Sequence, residues 1–153
     1  MSEGADVAGE FVVEVEAPMA PAQAWTRVWD LDRHTAVIPL TTVGTVPPAT
    51  RLGVGAEFCG RTGLGPLGFD DPMRVVEWEP PTTGAGRAVV VKTGSVIAGG
   101  IEVTFTPDAG RTRITWRQHV ELPWLPSRLS GAERLAARLV APGYRIVLRR
   151  LLA

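Results

Sequence analysis

The chain is nearly without cysteine: Cys59 is the only one in 153 residues. That excludes an intrachain disulfide scaffold and any Cys-x-x-Cys motif for metal or redox chemistry. Histidine is almost as scarce, and His34 and His119 fit neither H-x-x-x-H nor H-E-x-x-H, so no metal and no cofactor are expected. Excess charge is missing as well. The 16 basic residues balance 16 acidic ones, which argues against nucleic acid as a partner. No unbroken apolar run approaches the roughly 18 residues of a membrane span, so no integral membrane association is expected. Residues 1–9 are small and acidic, with no basic n-region and no apolar h-region. They read as a disordered leader rather than a signal peptide, and the expected location is cytoplasmic. No G-x-S-x-G elbow occurs, which argues against a hydrolase of that kind.

What is present is a globular composition, 45% hydrophobic and 21% charged. Residues 10–153 are expected to form a single domain. Phe11, Val13 and Val15 alternate with Glu14 and Glu16, the pattern of a half-buried strand. Pro21 suits the first turn of a helix running to about Asp30, with Ala24, Trp25 and Val28 as its apolar stripe. Asp30-Leu-Asp-Arg-His34 reads as a further short helical turn. From Ile38 to Glu121 only strands and turns are expected, with strands over 40–46, 56–62, 69–79, 87–93, 99–106 and 113–121. Short connections favour an antiparallel meander. Ser130 and Glu133 then form a capping-box signature ahead of a long helix that continues to Leu152, with Pro142 as a point of kinking. The expected fold class is α+β: a curved antiparallel sheet of about seven strands, in β-α-α-β6-α order, wrapped around a long C-terminal helix.

The helix carries a charge stripe. At 100° per residue Arg134, Arg138, Arg145 and Arg149 align, opposite Ala136, Val140, Gly143 and Val147. A solvated face is the plain reading of that stripe, and contact with an acidic partner or membrane surface is the other. A helix only about 10 Å wide with small inward residues leaves a concave sheet unfilled. An apolar pocket is therefore expected, lined by Phe58, Trp78, Val90, Val103, Phe105, Trp116 and Gln118 from the sheet and by Val140, Gly143 and Val147 from the helix. The competing expectation is that Trp78, Phe105 and Trp116 fill the space.

Among polar residues, Gln118 shares the parity of Ile114, Trp116 and Val120. It is either bonded to nearby backbone or an anchor for a ligand hydroxyl or carbonyl. Arg61 and Arg74 are its companions if the register differs by one. Asp70-Asp71, ahead of Pro72, reads as turn chemistry, and Glu77 and Glu79 as a wet face; neither pair makes an acid/base couple. His119 falls on the wet face by parity. Gly63-Leu-Gly-Pro-Leu-Gly68 matches G-x-G-x-x-G, but Pro66 removes a donor and no helix start follows, so a flexible hairpin is expected instead of a dinucleotide site.

Residues 10–34, EFVVEVEAPMAPAQAWTRVWDLDRH, place a strand, Ala-Pro, a Trp-bearing helix and Asp-Leu-x-Arg-His in succession. They resemble the opening of the START-like, polyketide-cyclase/dehydrase and birch-pollen-allergen superfamily, SRPBCC. MRVVEWEPP at 73–81 is similar to its mid-sheet strand and turn, and LVAPGYRIVLRRLLA to the C-terminal helix of many actinobacterial members. The resemblance implies a helix-grip fold enclosing an apolar cavity. Members bind lipids, hormones and polyketides or perform ring-closing chemistry, and no catalytic residue carries over. Three readings stand open: a carrier for a small hydrophobic molecule such as a lipid, polyketide or aromatic metabolite; a cyclase/dehydratase-like enzyme using the same cavity; and a stress-regulatory or interaction module using the arginine face. The carrier leads, because parity brings no titratable group clearly into the pocket. A monomer or weak homodimer is expected.

Overall fold

A computed structural model describes residues 9–129 and 131–153. The strands are β1 (Glu10–Ala17), β2 (Thr41–Thr45), β3 (Glu57–Leu64), β4 (Leu67–Glu79), β5 (Gly86–Thr93), β6 (Ala98–Asp108) and β7 (Arg111–Glu121). Helices α1 (Pro21–Val28) and α2 (Leu31–Val37) lie between β1 and β2, and α3 (Gly131–Leu152) ends the chain. All seven strands form one antiparallel sheet in the order β1-β7-β6-β5-β4-β3-β2. The sheet curls, and α3 lies on its inner side against β1, β7, α1 and α2. This is the α+β arrangement that the hydrophobic pattern implies, and the helix-grip fold that the resemblance implies.

Alternation does most of the positioning. Phe11, Val13 and Val15 of β1, Ala88 and Val90 of β5, Ile101, Val103 and Phe105 of β6, and Ile114 and Trp116 of β7 are buried. Their strand neighbours face water or lie half-buried. In β4 the register shifts between Val75 and Glu77. The bulge adds one residue, so Trp78 joins Met73 and Val75 on the inner side although its number has the other parity. The glycine-rich segment is a tight hairpin in which Leu64 pairs with Leu67 across Gly65-Pro66. At Gly63 the backbone has φ +142° and a Cβ would lie 2.2 Å from the Leu67 carbonyl oxygen, so the turn needs glycine there.

The Asp-Leu-x-Arg-His segment has a local physical explanation. Asp30 caps α2, its carboxylate accepting from the N–H groups of Asp32 at 3.0 Å and Arg33 at 3.2 Å. Arg33 then reaches across to donate to the Leu151 carbonyl at 3.1 Å, and Arg27 donates to the Leu152 carbonyl at 2.7 Å. Two guanidinium groups thereby cap the negative end of α3 and dock it on α1 and α2.

Two expectations need correction. Asp70-Asp71 is not a turn: both residues lie inside β4, and Pro72 is tolerated because this stretch pairs with β3 while β5 joins β4 only from Met73. The inner face of α3 is rotated by about one residue from the expected one. Ala137, Leu148 and Leu151 are buried and Ala141, Tyr144 and Val147 partly so, whereas Val140 is 41% exposed and Gly143 is exposed with open space around its Cβ position. Burial of the larger tyrosine and leucines removes more apolar surface than burial of alanine and glycine, and this sets the rotation. Glu133 ties down the chain before α3 by accepting from the Leu122 N–H at 3.0 Å; the capping box expected of it involves Ser130, which lies outside the described residues. The leader lies outside them too, apart from Gly9, whose carbonyl accepts from Val120 N–H at 3.0 Å and extends the pairing of β1 with β7.

Candidate functional site

The trough between sheet and α3 is divided in two. One part is packed with aromatic rings: Trp25 lies 4.7 Å from Trp78 and 5.1 Å from Phe105 between ring centroids, and Trp29 lies 5.3 Å from Trp78. Here the expectation that aromatics fill the space holds. The other part is open. A cavity of about 140 Å³ lies between α2, the C-terminal half of α3 and the inner faces of β2 to β7. Its apolar wall includes Trp29, Leu31, Ile38, Val43, Phe58, Met73, Ile101, Trp116, Val147, Leu148 and Leu151.

The residues expected in the pocket separate accordingly. Phe58, Trp116 and Val147 line the cavity. Trp78 and Phe105 belong to the aromatic half, while Val90 and Val103 are fully buried core residues without a share in the lining. Gln118 is buried as parity required, but its side-chain oxygen accepts the Trp116 indole N–H at 3.1 Å and it does not reach the cavity. Val140 and Gly143 face away. Arg61 and Arg74 are exposed, and Arg61 pairs with Asp70 at 2.9 Å on the outer side of the sheet. Arg134, Arg138, Arg145 and Arg149 are exposed, as a solvated helix face requires. Among the described residues no cluster of His, Cys, Asp or Glu is arranged to hold a metal ion.

The polar part of the lining departs furthest from expectation. His34, Thr41, Thr62, Asp71, Lys92 and Tyr144 all contribute to it. Thr41 and Thr62 satisfy each other at 2.8 Å across β2 and β3. His34 donates from Nε2 to the Val28 carbonyl at 2.7 Å, and burial holds its pKa below the ordinary histidine value, so it is neutral at pH 7. Lys92, the only lysine, has a side chain 3% exposed and donates from Nζ to Asp71 Oδ2. Burial pulls its pKa down, but the neighbouring Tyr144 and the Asp71 carboxylate outweigh that, and Lys92 titrates above the ordinary lysine value. It is an ammonium at neutral pH. The Asp71 side chain is 16% exposed, and its second oxygen, Oδ1, is buried with no hydrogen-bond partner among the described residues. The Trp29 indole N–H is buried and unpartnered in the same way.

Strand parity carries the signal for this pair. Lys92 shares its phase with Ala88 and Val90 in β5, and Asp71 shares its phase with Met73 and Val75 in β4. The register that sets Met73 opposite Lys92 brings the two charges together. A turn reading of Asp70-Asp71 conceals this.

No protein-family model matches the chain, and no curated protein matches it in sequence. Solved structures do match in fold. The protein TTHA0849 of Thermus thermophilus superposes with a TM-score of 0.72 at 16% identity, covering 94% of each chain. A STAR-related lipid transfer protein of Xanthomonas axonopodis gives 0.68 at 16% identity, covering 99% of this chain and 87% of that one. The Zhui aromatase/cyclase of a Streptomyces species gives 0.64 at 14% identity, covering 94% and 90%. The chain shares the fold of these structures, the helix-grip fold that the resemblance of its opening segment implies.

Proposed function

We propose that the protein binds a small, largely apolar molecule in the cavity between α3 and the sheet. The observation that carries this is the division of the trough: close packing in one half and a void of about 140 Å³ in the other. An engineered apolar cavity of about 150 Å³ takes up one benzene ring. Void of this size in a packed interior lowers stability, since its lining forgoes contacts. A guest restores them. A lipid transfer protein and an aromatase/cyclase share the fold, which supports a guest of this general chemistry.

Gly60 provides the test. A Cβ there would meet Val43 Cγ2 at 3.9 Å and Met73 Cε and Thr41 Cγ2 at 4.0 Å, ordinary contacts, and the glycine lines the cavity. Gly60→Ile grows a strand-favouring side chain into the void. It is expected to leave stability unchanged or raise it by about 1 kcal/mol. Ethylbenzene binding by calorimetry is expected to fall by about tenfold or more, the loss of roughly two methylene contacts. Unchanged ethylbenzene affinity in a folded Gly60→Ile variant would place the guest elsewhere.

A second reading, proton-transfer catalysis in the same cavity, is favoured by one observation: Asp71, Lys92, His34 and Tyr144 all reach the lining. Lys92, held as an ammonium beside a carboxylate, is suited to donating a proton to a ketone oxygen, not to attacking its carbon. Exchange of a bound aryl ketone's α-hydrogens with solvent deuterium, lost in Lys92→Met/Asp71→Leu, is the result that would select this reading.

A further inference from the structure

The Lys92–Asp71 pair is an unusual thing to set in an apolar wall. A buried ion pair is often matched or bettered in stability by a well-packed hydrophobic pair. This one is also incompletely satisfied. An ammonium carries three N–H donors, and Lys92 has one hydrogen-bond partner among the described residues. Asp71 Oδ1 is a buried acceptor with none. Both residues contribute to the lining, so an incompletely satisfied ion pair stands in the wall of a ring-sized void.

We propose that this pair is a recognition pole for an uncharged, ring-sized molecule that carries a carbonyl and an adjacent hydroxyl, an α- or β-hydroxy ketone. The inference rests on the cavity reading above and goes beyond it by naming the ligand's polar chemistry. The carbonyl oxygen accepts from a free Lys92 N–H, and the hydroxyl donates to the Asp71 carboxylate. The apolar body lies against Ile101, Met73 and Trp116 on the lining. Charge decides against a simple anion. Asp71 already neutralises Lys92, so a carboxylate would meet a like charge as near as the opposite one, while a neutral donor–acceptor pair meets two complementary groups.

The test is a calorimetric titration of the full-length protein with four molecules of nearly equal size: ethylbenzene, acetophenone, α-hydroxyacetophenone and phenylacetate. The expected order is α-hydroxyacetophenone first, about tenfold or more tighter than ethylbenzene, with acetophenone between them, because hydrogen bonds to charged groups retain a larger net gain than neutral ones after exchange with water. In Lys92→Met/Asp71→Leu the preference for the hydroxy ketone over ethylbenzene is expected to vanish. In Asp71→Asn, which is close to isosteric and leaves the ammonium without a counter-charge, phenylacetate is expected to gain about tenfold. Equal binding of ethylbenzene and α-hydroxyacetophenone by the wild type overturns the recognition pole and leaves the apolar cavity standing. Tightest binding of phenylacetate by the wild type also overturns it, in favour of an anion site. Binding of none of the four overturns the cavity reading itself, and this inference with it.

Discussion

Lys92→Met is expected to lower the stability of the protein by about 3 kcal/mol. The substitution keeps the length and apolar stem of the side chain but removes the one hydrogen-bond partner that Asp71 Oδ2 has among the described residues. Removing one member of a buried ion pair typically costs about 3–5 kcal/mol, because the remaining charge is buried without compensation. Asp71 keeps 16% of its side-chain exposure, which places the effect at the lower end. Urea denaturation measures it as a lower midpoint at unchanged slope. Lys92→Met/Asp71→Leu removes both charges and is expected to return to within about 1 kcal/mol of the wild type. The pH dependence has a definite sign. The pKa of Lys92 is raised by folding, so the pair's contribution is fully present below the unfolded lysine value of about 10.4 and is lost as pH rises through the folded value. The wild type should therefore lose stability on the alkaline side faster than the double variant. A loss of under about 1 kcal/mol in Lys92→Met would mean that water reaches Asp71 readily and that the pair is not desolvated.

Phe105→Ala addresses the other half of the trough. The ring is fully buried and packs 5.1 Å from Trp25, in the cluster that joins α1 to the sheet. Truncating a buried phenylalanine costs about 3–5 kcal/mol through lost transfer energy and the cavity left behind. Phe105 takes no part in the lining of the ligand cavity. Ethylbenzene affinity of the folded fraction is therefore expected to stay within about threefold of the wild type, as for independent sites. The contrast with Gly60→Ile is diagnostic. One variant loses stability and keeps binding, and the other keeps stability and loses binding. A joint loss of both properties in Phe105→Ala would show that the two halves form a single cooperative core.

The arginine-rich face of α3 enters neither experiment. Its guanidinium groups are exposed, and Arg145 donates to the Glu14 carbonyl at 3.1 Å, which fastens the helix to β1. Leu135, Leu139 and Ile146 are exposed beside them. A phase that sets the arginines opposite the core puts Val140 and Gly143 inward. The helix instead lies with Tyr144, Leu148 and Leu151 inward, so its inner flank is bulky. The void survives because the sheet, the short α2 and that flank do not close on one another at the Lys92 end.

Alternating residues and turn chemistry in the sequence alone were sufficient for the strand count, the helix order and the apolar inner face. These follow from periods of two and 3.6, and each depends only on neighbours along the chain. The segment 10–34 was enough to indicate the helix-grip fold, and its Asp30, Arg27 and Arg33 turn out to be cap and docking groups. What the tertiary structure alone decided was which inward residues meet a void and which meet each other. Val90, Val103 and Phe105 have the same inward phase as Ile101, yet only Ile101 borders the cavity, because packing is settled by side chains brought together from strands far apart in sequence. The juxtaposition of Asp71 with Lys92 has the same origin. Parity turns each of them inward, but only the pairing of β4 with β5 sets one charge against the other across twenty-one positions of chain.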